Sequence, residues 1–329
     1  MQEKKKNNTL SIFLGKYGII VMLLALVLVM TILIPGFLSL RNIQGIFLQG
    51  SIYGIMALGV TFIIISGGID LSAGSLVALA AVVSTSFGQL DTAMNKIFPW
   101  CPQLPIWVPF VVALAFGGFL GAVNGLMISR LKLVPWIATL GSYYIARGLA
   151  LVITAGKPVA QLIPAYNTIG GKIGILPVPV LFFAICMAIS WILLNYSKFG
   201  CDTFAIGGNM SAARVTGINI SKTTILIYTF AGIMYGVAAF VYAGRVLSVN
   251  PGAAQNYEMS AISASIIGGT SPMGGKGTIW GVLVGTLILS VIRQGLTLLA
   301  VDAYWQQIAE GAIIVIAVIF AMRREKAEL

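Results

Sequence analysis

Apolar residues fall in runs near the roughly 20 residues that cross a bilayer as an α-helix, parted by short polar or glycine-rich segments. Ten such runs fit the chain: 17–35, 44–66, 70–88, 106–129, 136–154, 177–196, 222–243, 256–268, 278–297 and 304–322. A membrane barrel would show alternating strands of about ten residues instead. The pattern therefore predicts an all-α, polytopic transmembrane helical bundle. The eighth run is short for a full crossing, and only residues 67–70 part the second from the third. Both features predict helices broken near the membrane middle.

Composition agrees with this class. Of 329 residues, 58% are hydrophobic and 9% charged, against about 25% charged in soluble domains. The net charge of +11 reads as topology rather than nucleic-acid binding, because cytoplasmic loops collect Lys and Arg and no basic patch is interleaved with aromatics. With both termini cytoplasmic, Lys4, Lys5, Lys6, Lys16, Arg130, Lys132, Lys198, Arg214, Lys222, Lys276, Arg323, Arg324 and Lys326 lie inside. Arg41, Lys96, Lys157, Lys172 and Arg245 lie outside, thirteen against five. The basic stretch before the first run is not a signal peptide, since the run is too long and no small-residue cleavage pattern follows. The longest outer loops, 88–106 and 156–174, are too short to fold alone. A single transmembrane domain over 1–329 is expected, with cytoplasmic tails at 1–16 and 323–329. There are no histidines, and the three cysteines lack metal spacing.

Residues 205–222, AIGGNMSAARVTGINISK, form the longest polar, glycine-punctuated stretch between two apolar runs. Asn209 is placed to N-cap a short helix, Ala212, Ala213 and Val215 accept helix, and Gly217 suits a left-handed stop. About two turns of helix on the membrane surface are predicted, with Arg214 toward water: a rigid lever that another protein can grip. An ordinary re-entrant turn is the plain alternative.

Three further motifs lie in or beside the spans. In SGGIDLSAGS, residues 66–75, Gly67 and Gly68 break a helix, Ser72 is placed to cap the next, and Asp70 sits among its first amides, where the helix dipole favours a carboxylate. A carboxylate there must find partners. Either Ser66, Gly67, Gly68, Asp70 and Ser72 line a hydrophilic pathway or moving joint, or Asp70 is a structural cap. IGGTSPMGGKGT, residues 267–278, only glances at a phosphate loop. Counting back from Lys276 puts Thr270 where the first Gly should be, and Gly277 stands where Ser or Thr is required. Gly117, Gly121 and Gly125 form one small-residue stripe and Gly277, Gly281 and Gly285 another, spaced to let helices approach. They fall five spans apart, which predicts an inverted 5+5 repeat. Arg147, Glu258, Arg293 and Glu310 should face protein or water, and Arg293 and Glu310 lie in adjacent spans, able to pair. No catalytic or metal-binding set appears, and an intramembrane enzyme is disfavoured.

Together these segments resemble the permease subunits of bacterial ABC importers for monosaccharides, the ribose/galactose/xylose group, over nearly the whole chain. The resemblance is carried by GVTFIIISGGIDLSAG at 59–74, PWIATLG at 135–141, Phe199-Gly200, AIGGNMSAARVTGI at 205–218, Tyr257-Glu258 and IGGTSPMGGKGT. One departure stands out: Met259-Ser260 replaces the common Leu-Asp, so a role for that second acid does not carry over. The resemblance implies a second permease subunit, as a homodimer, and a periplasmic or lipid-anchored sugar-binding protein. It also implies a cytoplasmic ATPase with two nucleotide-binding modules, which would hold the ATP and Mg while this chain holds no cofactor. Gly207, Gly208, Asn209, Ser211, Ala212, Ala213, Arg214 and Gly217 would then belong to the coupling loop that enters the ATPase, and Ser66, Ser72, Tyr257 and Glu258 are candidates for the pathway or its joints. A monosaccharide would cross the bacterial inner membrane by alternating access. The same architecture for a branched-chain amino acid, a nucleoside or a furanone signal is the alternative, and an ATP-independent carrier a more distant one.

Overall fold

A computed structural model describes the backbone of residues 2–328 and the side chains of 18–313, 315, 316 and 319. The side chains of Lys4, Lys5, Lys6 and Lys16, and those of the 323–329 tail, lie outside the described residues.

The chain runs α1 (Gln2–Leu33), α2 (Leu40–Ile65), α3 (Ala73–Ser86), α4 (Trp107–Ser129), α5 (Pro135–Thr154), α6 (Ala165–Gly170), β1 (Lys172–Ile173), β2 (Leu176–Pro177), α7 (Val178–Tyr196), α8 (Lys198–Gly208), α9 (Met210–Val215), α10 (Ile220–Val246), α11 (Tyr257–Ile267), α12 (Ile279–Leu298) and α13 (Ala303–Glu328). Each of the ten expected apolar runs holds one helix; among the described residues the departures from all-α are two isolated bridges and the hairpin of β1 with β2, turning at a left-handed Gly174 (φ +61°).

The count of about ten crossings is approximate. Among the described residues, α2, α4, α5, α7, α10 and α12 are both long and apolar enough to cross a membrane. With 14 and 11 residues, α3 and α11 rise only about 21 and 17 Å at 1.5 Å per residue, short of a ~30 Å hydrocarbon core. They are half-spans, and their N-termini meet: a Cβ on Gly74 of α3 would lie 2.1 Å from Glu258 Oε2 of α11 and 2.5 Å from Ala254 O.

The two glycine stripes serve different contacts. On α4, a Cβ at Gly121 would fall 2.1 Å from Tyr228 O and one at Gly117 2.4 Å from Gly232 O, so the α4 backbone lies directly on α10. Gly232 and Gly236 of α10 answer from the other side. In the second set, Gly281 and Gly285 press on Gly268 O and Ala264 O at the end of α11. Gly277 precedes the N-cap Thr278, whose Oγ1 accepts the Gly281 amide at 3.0 Å, so it does not share their helical face. The stripes therefore meet α10 and α11, partners that a five-span shift does not exchange.

At the centre stand α2 and α10, with 89% and 72% of their most apolar stretch buried, against 28% for α5 and α7. A helix apolar all round belongs inside, and the outer helices turn Val152, Ile185 and Trp136 outward, as a lipid solvent permits. Connections gather at two ends. One joins 88–106, 156–177 and 245–256 through the Gln89–Leu162 and Val159–Val249 bridges, with Gln44 bonded to Ile175 O at 2.7 Å. The other gathers 66–72, 197–219 and 268–278.

Candidate functional site

The expected lever is present, and it has two parts. Ser197 Oγ accepts the Gly200 amide (3.2 Å) to start α8, Asn209 Oδ1 accepts that of Ala212 (3.0 Å) to start α9, and Asn219 Oδ1 accepts that of Lys222 (3.0 Å) to start α10. Each side-chain acceptor satisfies an otherwise orphaned helix-start amide. Gly217 (φ +86°) ends α9: its amide donates to Arg214 O and that of Ile218 to Ala213 O, both at 3.1 Å. This is the paired Schellman pattern that a left-handed glycine closes. Residues 205–208 belong to the end of α8, a helix that the sequence pattern alone did not announce.

The lever has a wet face and a dry one. Met210 (49% exposed) and Val215 (88%) project outward, with Ser211, Ala212 and Arg214 also exposed. Ala213 is 3% exposed and packs inward. Gly208 is exposed, and a Cβ there would meet nothing within 4 Å. Gly207 is not on the outer face: a Cβ there would fall 1.7 Å from Ile65 O and 2.7 Å from Gly275 N.

That contact joins the lever to the broken joint. After Ile65 the chain turns sharply, with Gly67 left-handed (φ +79°) and the Gly67 and Gly68 amides donating to Ile64 O and Ile63 O, each at 2.9 Å. Ser66 Oγ bonds back to Ile63 O at 2.7 Å. The chain then re-enters the bundle to reach Asp70, which is 1% exposed. Its Oδ1 accepts the Ser72 amide (2.8 Å) and hydroxyl (2.5 Å), and Oδ2 accepts the Tyr235 hydroxyl (2.9 Å). Ser72 stands at the N-cap position of α3, but its hydroxyl turns to Asp70 and makes no cap bond. From Ser72 Oγ the network continues to Asn124 Nδ2 (2.9 Å) and from Asn124 Oδ1 to Ser142 Oγ (2.5 Å). Thr139 Oγ1 accepts the Leu71 amide (3.2 Å), and the Tyr228 hydroxyl donates to Ile69 O (3.1 Å). The joint is thus tied to α4, α5 and α10, and the buried Asp70 carboxyl has its partners.

The loop 268–278 closes the set. Its Gly275 amide donates to Ile65 O at 2.8 Å. Gly274 and Gly275 are left-handed (φ +92° and +74°), a conformation in which glycine pays no side-chain penalty. A Cβ at Gly274 would lie 2.9 Å from Gly207 O and 3.1 Å from Gly67 N. Three segments separate in sequence, around 65, 207 and 275, meet backbone to backbone.

A second polar cluster lies at the half-span junction. Glu258 is 4% exposed, with Oε2 over Gly74 and without a hydrogen-bond partner. Arg147 Nη1 donates to Ala253 O (2.7 Å) and Pro251 O (3.1 Å). Tyr257 meets Tyr53 edge to face at 4.7 Å. Arg293 pairs with Glu310 as the adjacent spans predicted, its Nη2 donating to Glu310 Oε2 (2.7 Å) and to Ser260 Oγ (2.8 Å), with the guanidinium 4.5 Å from the Tyr53 ring centroid.

A family model described as branched-chain amino acid transport system / permease component matches residues 42–318. The galactose/methyl galactoside import permease of Escherichia coli (strain K12) is 38% identical over 314 residues, 93% of this chain and 94% of the relative. The ribose import permease of Bacillus subtilis (strain 168) is 35% identical over 328 residues, 98% of each. That of Haemophilus influenzae is 34% identical over 325 residues, 95% of this chain and 96% of the relative. No solved structure matches the chain. With its apolar crossings, its capped lever and this end-to-end similarity, the chain belongs to that family of transport-system permease components.

Proposed function

We propose that this chain is the membrane-spanning permease subunit of an ATP-driven, binding-protein-dependent importer that carries a monosaccharide into the bacterial cytoplasm. The observation that carries the reading is that full-length relatives at 34–38% identity are import permeases for galactose and ribose. The family description names branched-chain amino acids, but these relatives favour a sugar over that cargo, a nucleoside or a furanone. A separate ATPase with two nucleotide-binding modules supplies the energy and holds ATP and Mg. A periplasmic or lipid-anchored protein delivers the sugar, and two copies of the permease enclose the path.

In this reading α8, α9 and both termini are cytoplasmic, which the thirteen-to-five excess of Lys and Arg supports. The exposed Met210, Arg214 and Val215 form the face that the ATPase grips; an aliphatic side chain 88% exposed on a capped helix is suited to burial by a partner. ATP binding draws the two levers together and opens the path outward, and hydrolysis returns it inward. Uptake of labelled galactose and ribose into proteoliposomes holding this chain with its genomic-neighbour ATPase and binding protein tests the reading. ATP-dependent uptake of one of them is expected. Concentrative uptake by this chain alone, or ATP-dependent uptake of an amino acid and of neither sugar, refutes it.

A further inference from the structure

We infer that Gly207 is a positioning residue that clamps the lever to the broken joint, so that α8, the end of α2 and the loop 268–278 move as one body when the ATPase drives α9. The inference rests on the coupling role proposed above and adds the route by which motion enters the bundle. The packing partners of α9 are α8 and α10, and α8 in turn packs on α2, α7 and α10. Two paths lead from the gripped helix to the joint: α10 reaches it through the Tyr228 and Tyr235 side chains, and α8 reaches it with no side chain intervening.

Three backbones are locked there. Gly207 lies so close to Ile65 O that a methyl group would fall 1.7 Å from it. The same carbonyl accepts the Gly275 amide at 2.8 Å. Gly274 fits between Gly207 O and Gly67 N only by virtue of its left-handed backbone and missing side chain. Side chains in a contact absorb displacement by changing rotamer; backbone against backbone has no such slack, and close-packed interiors transmit strain. Two residues beyond Ile65 the left-handed Gly67 begins the re-entrant segment, and Asp70 follows with its ties to α4, α5 and α10. A displacement of α8 is thus delivered to the N-terminus of the half-span α3.

The experiment compares Gly207→Ala with Gly148→Ala in proteoliposomes with the ATPase and binding protein. Gly148 is an exposed helical glycine of α5, outside the coupling loop, and a Cβ there meets nothing within 4 Å. Gly207→Ala is expected to copurify with the ATPase but to lose transport by about tenfold or more, the scale of the strain that overpacking imposes, while Gly148→Ala keeps at least about tenfold more transport than Gly207→Ala. Wild-type transport by Gly207→Ala, or equal loss in both variants, overturns the clamp. If Gly207→Ala fails to accumulate, hydrogen exchange on the wild-type complex decides. The Gly275 amide should stay protected in nucleotide-free and nucleotide-trapped states, and faster exchange in either overturns the proposal. Failure of the wild-type chain to bind any ATPase overturns the proposed function instead, and is read directly from copurification.

Discussion

Replacing Asp70 tests the reading of the joint most directly. In the Asp70→Ala protein, the Ser72 amide, the Ser72 hydroxyl and the Tyr235 hydroxyl lose their acceptor in a site that is 1% exposed, where water cannot substitute. Each orphaned buried donor costs about 1–3 kcal/mol, so the three should cost about 3–9 kcal/mol. Tyr235→Phe removes one donor and strips one carboxyl oxygen, for about 1–3 kcal/mol. Asp70→Asn keeps an acceptor for Ser72 and turns an amide donor toward the Tyr235 oxygen, and should cost about 1 kcal/mol. In the double variant Asp70→Ala/Tyr235→Phe the orphaned Tyr235 hydroxyl is gone, so its loss should fall short of the sum by about 1 kcal/mol. Reversible unfolding of the purified chain in mixed micelles, followed by far-ultraviolet circular dichroism, reads all four. An Asp70→Ala protein within about 0.5 kcal/mol of wild type, or strict additivity in the double variant, would refute the argument.

Three further outcomes follow from the same geometry. Val215→Asp should weaken ATPase copurification roughly tenfold or more while leaving folding intact, because Val215 is 88% exposed; Ala213→Asp is no clean docking test, since Ala213 is 3% exposed and a charge there would break the lever itself. Glu310→Gln leaves Arg293 without its acid and should destabilise by about 3–5 kcal/mol, and Ser260→Asp should restore part of that stability, because Arg293 Nη2 is 2.8 Å from Ser260 Oγ; no recovery in a thermal-stability measurement would count against the pairing. Gly121→Leu should abolish accumulation of folded chain, its Cβ falling 2.1 Å from Tyr228 O, whereas Gly118→Ala, which meets only side-chain atoms, Ile233 Cγ1 first at 3.0 Å, should accumulate normally; comparable yields for the two would sink the close-approach argument.

The crossings were legible because bilayer length and apolar composition leave little freedom, and Asn209 and Gly217 announced α9 because caps are local chemistry. The Arg293–Glu310 pair could be expected because two charges in adjacent apolar runs need each other. Other features lay beyond the pattern. α8 carries Gly200, Gly207 and Gly208, which lower helix propensity, and it is held by packing on α2, α7 and α10 instead. Ser72 marked the start of α3, but its C-terminal limit escaped because the apolar run continues to residue 88, past the point where the backbone stops being helical. Gly277 was placed on a helix by its four-residue spacing, yet the capping hydroxyl of Thr278 marks the true start. The meeting of Ile65, Gly207 and Gly275 had no signal except the glycines, which mark turns equally well. Asn124, an amide within an apolar run, is the one sequence sign of the Asp70 network's extension to α4 and α5.

The brevity of α11 reaches back to how the protein is made. Eleven residues with a carboxylate in their first turn are too short to span a ~30 Å hydrocarbon core and gain too little from lipid for the insertion machinery to accept them alone. α11 must therefore enter as the middle of a three-segment package with α10 and α12, after α2 and α3 already wait to receive it. Biogenesis of this permease then has a late, obligatory docking event, and truncating the chain just past residue 267 should strand that segment outside the bilayer.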